Sequence, residues 1–197
     1  PARGTIMTAL EITLGAGRRD PQGRRVTVDG PAALAAALRR DAPGEVWWSP
    51  HTWRDDLRSS DAWVASCVVG VDVDYRDATG AHVAPPADVA ARMDAVARRG
   101  GLRGSVWHAT PRGARLVLVL DAPVTDAAVH ARVCTGVASR GEDALRRAGL
   151  IGGTGAAGYT VDRPALTDRA RLLFSARTRV EGESVPRDAA VHVIGGT

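Results

Sequence analysis

Apolar residues gather in short runs along this chain. The longest, residues 63–74 (WVASCVVGVDVD), is apolar at nearly every position until it ends on two aspartates. A continuous apolar run of strand length predicts a central β-strand covered on both faces. Residues 8–28 (TALEITLGAG, DPQG, RRVTVDG) predict a hairpin turning at residues 20–23, and EVWW, SVWH, ARLVLVL, YTVD, RLLFSA and VHVI predict further short strands. Three stretches read as helices. PAALAAALRR opens on Pro31 and ends on arginines, PPADVAARMDAVARRGG opens on Pro85 and stops at Gly100 and Gly101, and residues 125–149 predict a long helix with a bend at Gly136. Strands and helices mix without strict alternation, so the expected class is α+β with a mixed or antiparallel sheet. The 197 residues suit a single domain with a sizeable core, and residues 1–6 read as foreign sequence ahead of a natural start at Met7.

Charge narrows the classes. All 26 basic residues are arginine, which a GC-rich coding sequence explains, and the net charge is +4. Arginine is permanently charged, forks onto phosphate and stacks on bases, so such a surface suits polyanions, although +4 is too small to establish a nucleic-acid partner. No apolar run reaches the ~18–20 residues that cross a bilayer, and the amino terminus lacks a signal peptide's apolar core, so no membrane role is expected. Cys67 and Cys134 lie in apolar surroundings at no metal-binding spacing, as expected of buried thiols in a reducing cytoplasm. With 5 Trp, 2 Tyr and 1 Phe, an aromatic base-stacking platform is poorly supplied.

Three segments carry candidate chemistry. In VVGVDVDYRD, Asp72 and Asp74 sit two apart on a strand and project from one face, about 7 Å apart at the backbone. At the end of an apolar run they are either solvated acids or ligands of a divalent cation such as Mg²⁺, which takes one or two carboxylates plus phosphate oxygens. In SVWHATPRGARLVLVL, His108 ends one strand and Arg115 begins the next, groups suited either to a triphosphate or to a hydrogen-bonded hairpin. In YTVDRPALTDRARLLFSARTR, Asp162 follows a short apolar stretch, and Asp168 and Arg171 precede a buried strand. A third carboxylate joining the pair would complete a two-metal site, but spacing alone leaves that open against a surface loop. The loop GLIGGTGAAG lacks the Lys-Ser/Thr of a P-loop and reads as a flexible connector, and His51, His82, His130 and His192 show no ligand spacing.

Taken in order, these segments resemble the archaeo-eukaryotic primase superfamily, especially the primase-polymerases of plasmids and phages. The first motif is an acidic pair on a strand, matched by Asp72 and Asp74. The second is a small residue, any residue and His, matched by Val106-Trp107-His108, followed by a Thr-Pro turn and an Arg-led apolar strand as in HATPRGARLVLVLDAPV. The third is a hydrophobic residue and Asp, matched by Val161-Asp162, with Asp168-Arg169-Ala170-Arg171 next. Trp107 is bulkier than the motif usually holds, and FSARTR lacks the Pro-Gly-Thr or Leu-Pro of some relatives.

The resemblance covers roughly residues 47–179. It implies a primase-like catalytic core with an RRM-like sheet plus an amino-terminal α/β part, and a template-directed nucleotidyltransferase (DNA primase or DNA polymerase) replicating a mobile element. It further implies Mg²⁺ or Mn²⁺ held by Asp72, Asp74 and Asp162, a dNTP or NTP held by His108, Arg115 and Arg171, and an upstream arginine near the nucleotide, Arg58 or Arg54. Expected partners are single-stranded DNA template and primer, with a helicase domain or protein as a further one; Arg103, Arg177 and Arg179 are the expected template contacts. Two alternatives stay open: a catalytically inactive single-strand or nucleotide binder of the same fold, and a Toprim-type nuclease or topoisomerase domain pairing the aspartates with Glu11.

Overall fold

A computed structural model describes residues 9–16, 21–39, 47–102, 105–153, 155–171, 173–174 and 191–194. The fold is α+β. Strands β1 (Leu10–Gly15) and β2 (Arg24–Val28) form the expected hairpin, and helix α1 (Gly30–Leu38) follows with Pro31 in its first turn. An extended segment then runs through β3 (Trp47–Ser49), Pro50 and β4 (His51–Trp53), and a single 3₁₀ turn (Arg54–Asp56) leads toward the central strand β5 (Trp63–Arg76). Helix α2 (Val89–Arg99), the hairpin β6 (Val106–Thr110) and β7 (Gly113–Val124), and helix α3 (Ala127–Arg147) come next. The chain closes with β8 (Gly158–Val161), the short α4 (Arg163–Thr167), β9 (Leu173–Phe174) and β10 (Val191–Val193).

Two sheets result, and every ladder between named strands is antiparallel. The smaller has the order β2-β1-β3-β9. The larger has the order β10-β6-β7-β5-β4, with β8 also paired to β5. The segment 47–53 belongs to both: its first half pairs with β1 and β9, its second half with β5.

Alternation along β5 explains the layering. Val69, Val71 and Val73 point to a core shared with Met93 and Val96 of α2 and Cys134, Ala138 and Leu145 of α3. Val68 points the other way, into a second core with Ile12, Leu14, Leu34, Leu38, Val106, Val117 and Leu173. The central strand is thus covered on both faces, as its unbroken apolar run predicts.

Three details depart from the sequence reading. Helix α2 starts at Val89 rather than at Pro85, because the prolines precede the first turn instead of opening it. Helix α3 starts on an Asp126 cap, whose side chain accepts the Val129 N–H, and continues through Gly136 as one element. The glycine-rich stretch folds back against β8 rather than trailing freely: Ile151 bridges Tyr159, and a Cβ on Gly158 would lie 2.5 Å from the Gly152 nitrogen. Both cysteines are free and buried, as expected. Among the described residues no helix is long and apolar enough to cross a membrane.

Candidate active site

Strand register carries the first two sequence segments to one level of the larger sheet. Asp72 on β5 lies opposite Arg115 on β7, which lies opposite His108 on β6. The next row inward is apolar, Gly70, Val117 and Val106; the next row outward is Asp74, Gly113 and Thr110. Residues two apart on a strand share a face, so His108, Arg115, Asp72 and Asp74 project on the side that carries Val106, Val117 and Val68, where its apolar cover ends.

Arg115 Nε donates to Asp72 Oδ1 at 2.7 Å, and both side chains are largely buried. Burial works against the charge on Asp72, but Arg115, then Arg171 and His108, outweigh it and hold the carboxyl below its ordinary range. Asp162 arrives on the third segment. Its backbone N–H donates to the Asp72 carbonyl at 3.0 Å, because β8 pairs with β5 just before it. One carboxylate oxygen of Asp162 caps α4 by accepting the Ala165 N–H at 3.4 Å, and the other lies 3.9 Å from Arg171 Nη2. That same Nη2 is 3.5 Å from Asp72 Oδ2, so one guanidinium spans carboxylates of the first and third segments.

Asp74 has the opposite electrostatics. Burial, the Asp72 carboxylate and, more weakly, Asp162 push its pKa up, while His82 Nδ1, 3.5 Å from Oδ2, pulls against them. His108 is buried, with Nδ1 3.0 Å from the Ala109 carbonyl. A carbonyl only accepts, so Nδ1 carries the proton of the neutral ring and Nε2 is left with a lone pair. That buried Nε2 has no hydrogen-bond partner among the described residues. Burial, then Arg115, lower the His108 pKa to about 4, so the ring is neutral at pH 7.

The donor set suits a hard divalent cation in its chemistry. Asp72, Asp74 and Asp162 offer carboxylate oxygens, and Asp74 is raised by burial and then by the Asp72 and Asp162 carboxylates, whose repulsion a cation would relieve. Among the described residues, no three His, Cys, Asp or Glu side chains stand in metal-holding geometry, and Arg171 Nη2 lies 3.5 Å from Asp72 and 3.9 Å from Asp162.

Arg58, also expected at the site, lies apart from this cluster. The Arg58 guanidinium lies 5.7 Å over the Trp47 ring and enters none of the ion pairs above. Arg103, Arg177 and Arg179 fall outside the described residues. Glu11 sits on β1 beside Cys67, five positions before Asp72 along β5 and so roughly 16 Å short of the aspartates, too far to form the Toprim-type acidic triad with them. The sequence reading missed His82. Its signal was the turn DATG: Asp77 Oδ1 accepts the Thr79 and Ala81 N–H groups, returning the chain so that His82 bridges Arg76 beside Asp74.

No protein-family model matches the sequence, and no curated protein matches it. Among solved structures, the polymerase domain of Mycobacterium tuberculosis Ligase D in complex with DNA is similar at 18% identity and a TM-score of 0.48. The similarity takes in 98% of this chain but 65% of that one, so the chain spans just under two thirds of that structure's length.

Proposed function

We propose that the chain is the catalytic domain of a template-directed nucleotidyltransferase, a DNA primase or polymerase acting in the replication of a mobile element. One observation carries the reading: three segments separated by tens of residues converge on a single cluster, Asp72, Asp74, His108, Arg115, Asp162 and Arg171. Acids beside arginines and a buried histidine with an open nitrogen match what phosphoryl transfer asks of a protein, which is positioning and charge rather than covalent chemistry. The Ligase D domain named above is a polymerase bound to DNA, but the residues, not that likeness, support the assignment.

In this mechanism Asp72, Asp74 and Asp162 are the residues that would hold Mg²⁺ or Mn²⁺. When bound, the cation would acidify a 3′-hydroxyl and neutralise charge on the leaving pyrophosphate. Arg171 moves from the carboxylates to phosphate oxygens, Arg115 keeps Asp72 ionised and oriented, and His108 takes up a proton at Nε2 to donate to the triphosphate. Single-stranded template and primer bind chiefly through arginines, and so with strong salt dependence.

Primer extension on a labelled template with dNTPs and Mn²⁺ tests the proposal. The wild type is expected to extend the primer, and Asp72→Ala and Asp74→Ala to lower the rate at least about a hundredfold, consistent with the loss of metal-borne charge stabilisation. A non-catalytic binder of the same fold is the second reading, favoured by the two arginines that already neutralise Asp72. It prevails if the wild type neither extends nor makes primers while both variants bind single strands equally well.

A further inference from the structure

The loop that carries Arg171 is tied down by its carbonyls. Ser49, His51 and Trp53 alternate along the extended segment that crosses between the two sheets, so they project to one side. Each donates to a different carbonyl of residues 168–171. Ser49 Oγ reaches the Arg171 oxygen at 2.7 Å, His51 Nε2 the Asp168 oxygen at 3.2 Å, and Trp53 Nε1 the Arg169 oxygen at 2.9 Å. All three donors are buried.

The donors are themselves held. With Nε2 donating, His51 Nδ1 must accept, and Ser66 Oγ lies 2.6 Å away with its own oxygen taking the Trp63 indole N–H at 3.1 Å. Burial, with His130 second, lowers the His51 pKa to about 3, so this tautomer stays neutral at ordinary pH. From the other side, Thr13 Oγ1 donates to the His51 carbonyl at 2.8 Å and Arg25 to the Trp53 carbonyl at 2.9 Å. Beyond the loop, Leu173 packs over Gly70, where a Cβ would come within 2.5 Å of its Cδ1. Carbonyls of a surface loop are ordinarily served by water, so three buried side chains at alternate positions make this loop unusually fixed.

We propose that Ser49, His51 and Trp53 are positioning residues for Arg171, forming a comb of donors that sets the loop so that the guanidinium is delivered to the triphosphate position beside Asp72 and Asp162. This rests on the nucleotide-site reading above. The comb touches no substrate, so its whole effect on ligand binding passes through Arg171.

A double-mutant cycle tests it, with inorganic triphosphate as a probe that cannot turn over. Ser49→Ala removes one donor with little change in volume, and Trp53→Phe removes another but leaves a small cavity where the indole's second ring was buried. Each is expected to weaken triphosphate binding about three- to tenfold, the worth of one neutral buried hydrogen bond, and to raise KM for dNTP with kcat little changed. In an Arg171→Ala background neither should weaken binding further. Equal losses with and without Arg171, or no loss at all, overturn the comb while leaving the site intact. If Arg171→Ala itself leaves triphosphate binding unchanged, the nucleotide-site reading fails and the comb with it. Melting temperatures within a few degrees of wild type separate these results from misfolding, with Ser49→Ala as the gentler variant.

Discussion

Asp72 and Asp74 are two residues apart on one strand, yet their neighbours drive them in opposite directions. Asp72 is held ionised, chiefly by Arg115 against burial, and Asp74 is raised by burial and by Asp72 itself. Arg115→Ala would leave Asp72 without its 2.7 Å partner in a largely buried place. Stability should fall by about 3 kcal/mol, the low end of what a broken buried pair costs, because Arg171 remains 3.5 Å away; urea unfolding at pH 7 measures it. His108 carries the sharper prediction. Its free ring has a pKa of about 4, and a bound polyanion must raise it. Between that value and the pKa in the complex, each ligand bound takes up a proton, so within that window triphosphate affinity should rise as pH falls. Calorimetry in buffers of differing ionisation heat should detect the proton, and its absence, or an unchanged pH slope in His108→Gln, refutes the assignment.

At the scale of elements, two glycines on different supports should respond in opposite senses. Gly113 on β7 faces Asp74 across the ladder, and a Cβ there would fall 1.9 Å from the Val73 carbonyl oxygen, so the strands must part where the acids sit. Gly113→Ala is expected to cost about 1–3 kcal/mol and to impair extension. Gly136 lies mid-helix in α3 with open space around its missing Cβ, and Gly136→Ala should stabilise by about 0.5–1 kcal/mol. Thermal melts of the two variants decide both. The same contrast marks what the sequence made legible. Strand β5, its two-sided cover and the shared face of Asp72 and Asp74 follow from local patterning, and so do the β6–β7 hairpin and the face of Arg115. The approach of Asp162 depends on β8 pairing with β5 across more than eighty intervening residues, which no local pattern encodes. The comb was invisible for a related reason: Ser49, His51 and Trp53 act on backbone carbonyls, which carry no residue-type signal.

The whole molecule buries several histidines in their neutral form, and this ties its stability to pH. His51 and His108 titrate at about 3 and about 4 in the folded chain, and His130 is also lowered, whereas an unfolded histidine titrates near 6.5. For a base with a depressed folded pKa, the unfolded chain binds the proton first. The stabilisation is therefore complete above the unfolded value and is lost as pH falls through 6.5 toward the folded values, at about 1.4 kcal/mol per pH unit for each ring. From pH 7 to pH 5, His51 and His108 together should remove roughly 4 kcal/mol, a large share of the ~5–15 kcal/mol typical of a domain. Asp74 pulls the other way, since a raised carboxyl is relieved by protonation, and Asp72 adds its own loss only below its ordinary carboxylate range. Urea midpoints measured at pH 7, 6 and 5 should therefore fall steadily, and His51→Gln should flatten part of the slope while lowering the midpoint at pH 7. A midpoint constant over that interval would mean that these rings titrate alike in the folded and unfolded chains. A folded His51 that charges would still donate from Nε2 to the Asp168 carbonyl and would turn Nδ1 into a donor to Ser66 Oγ, so the tie to the loop bearing Arg171 does not depend on the neutral ring.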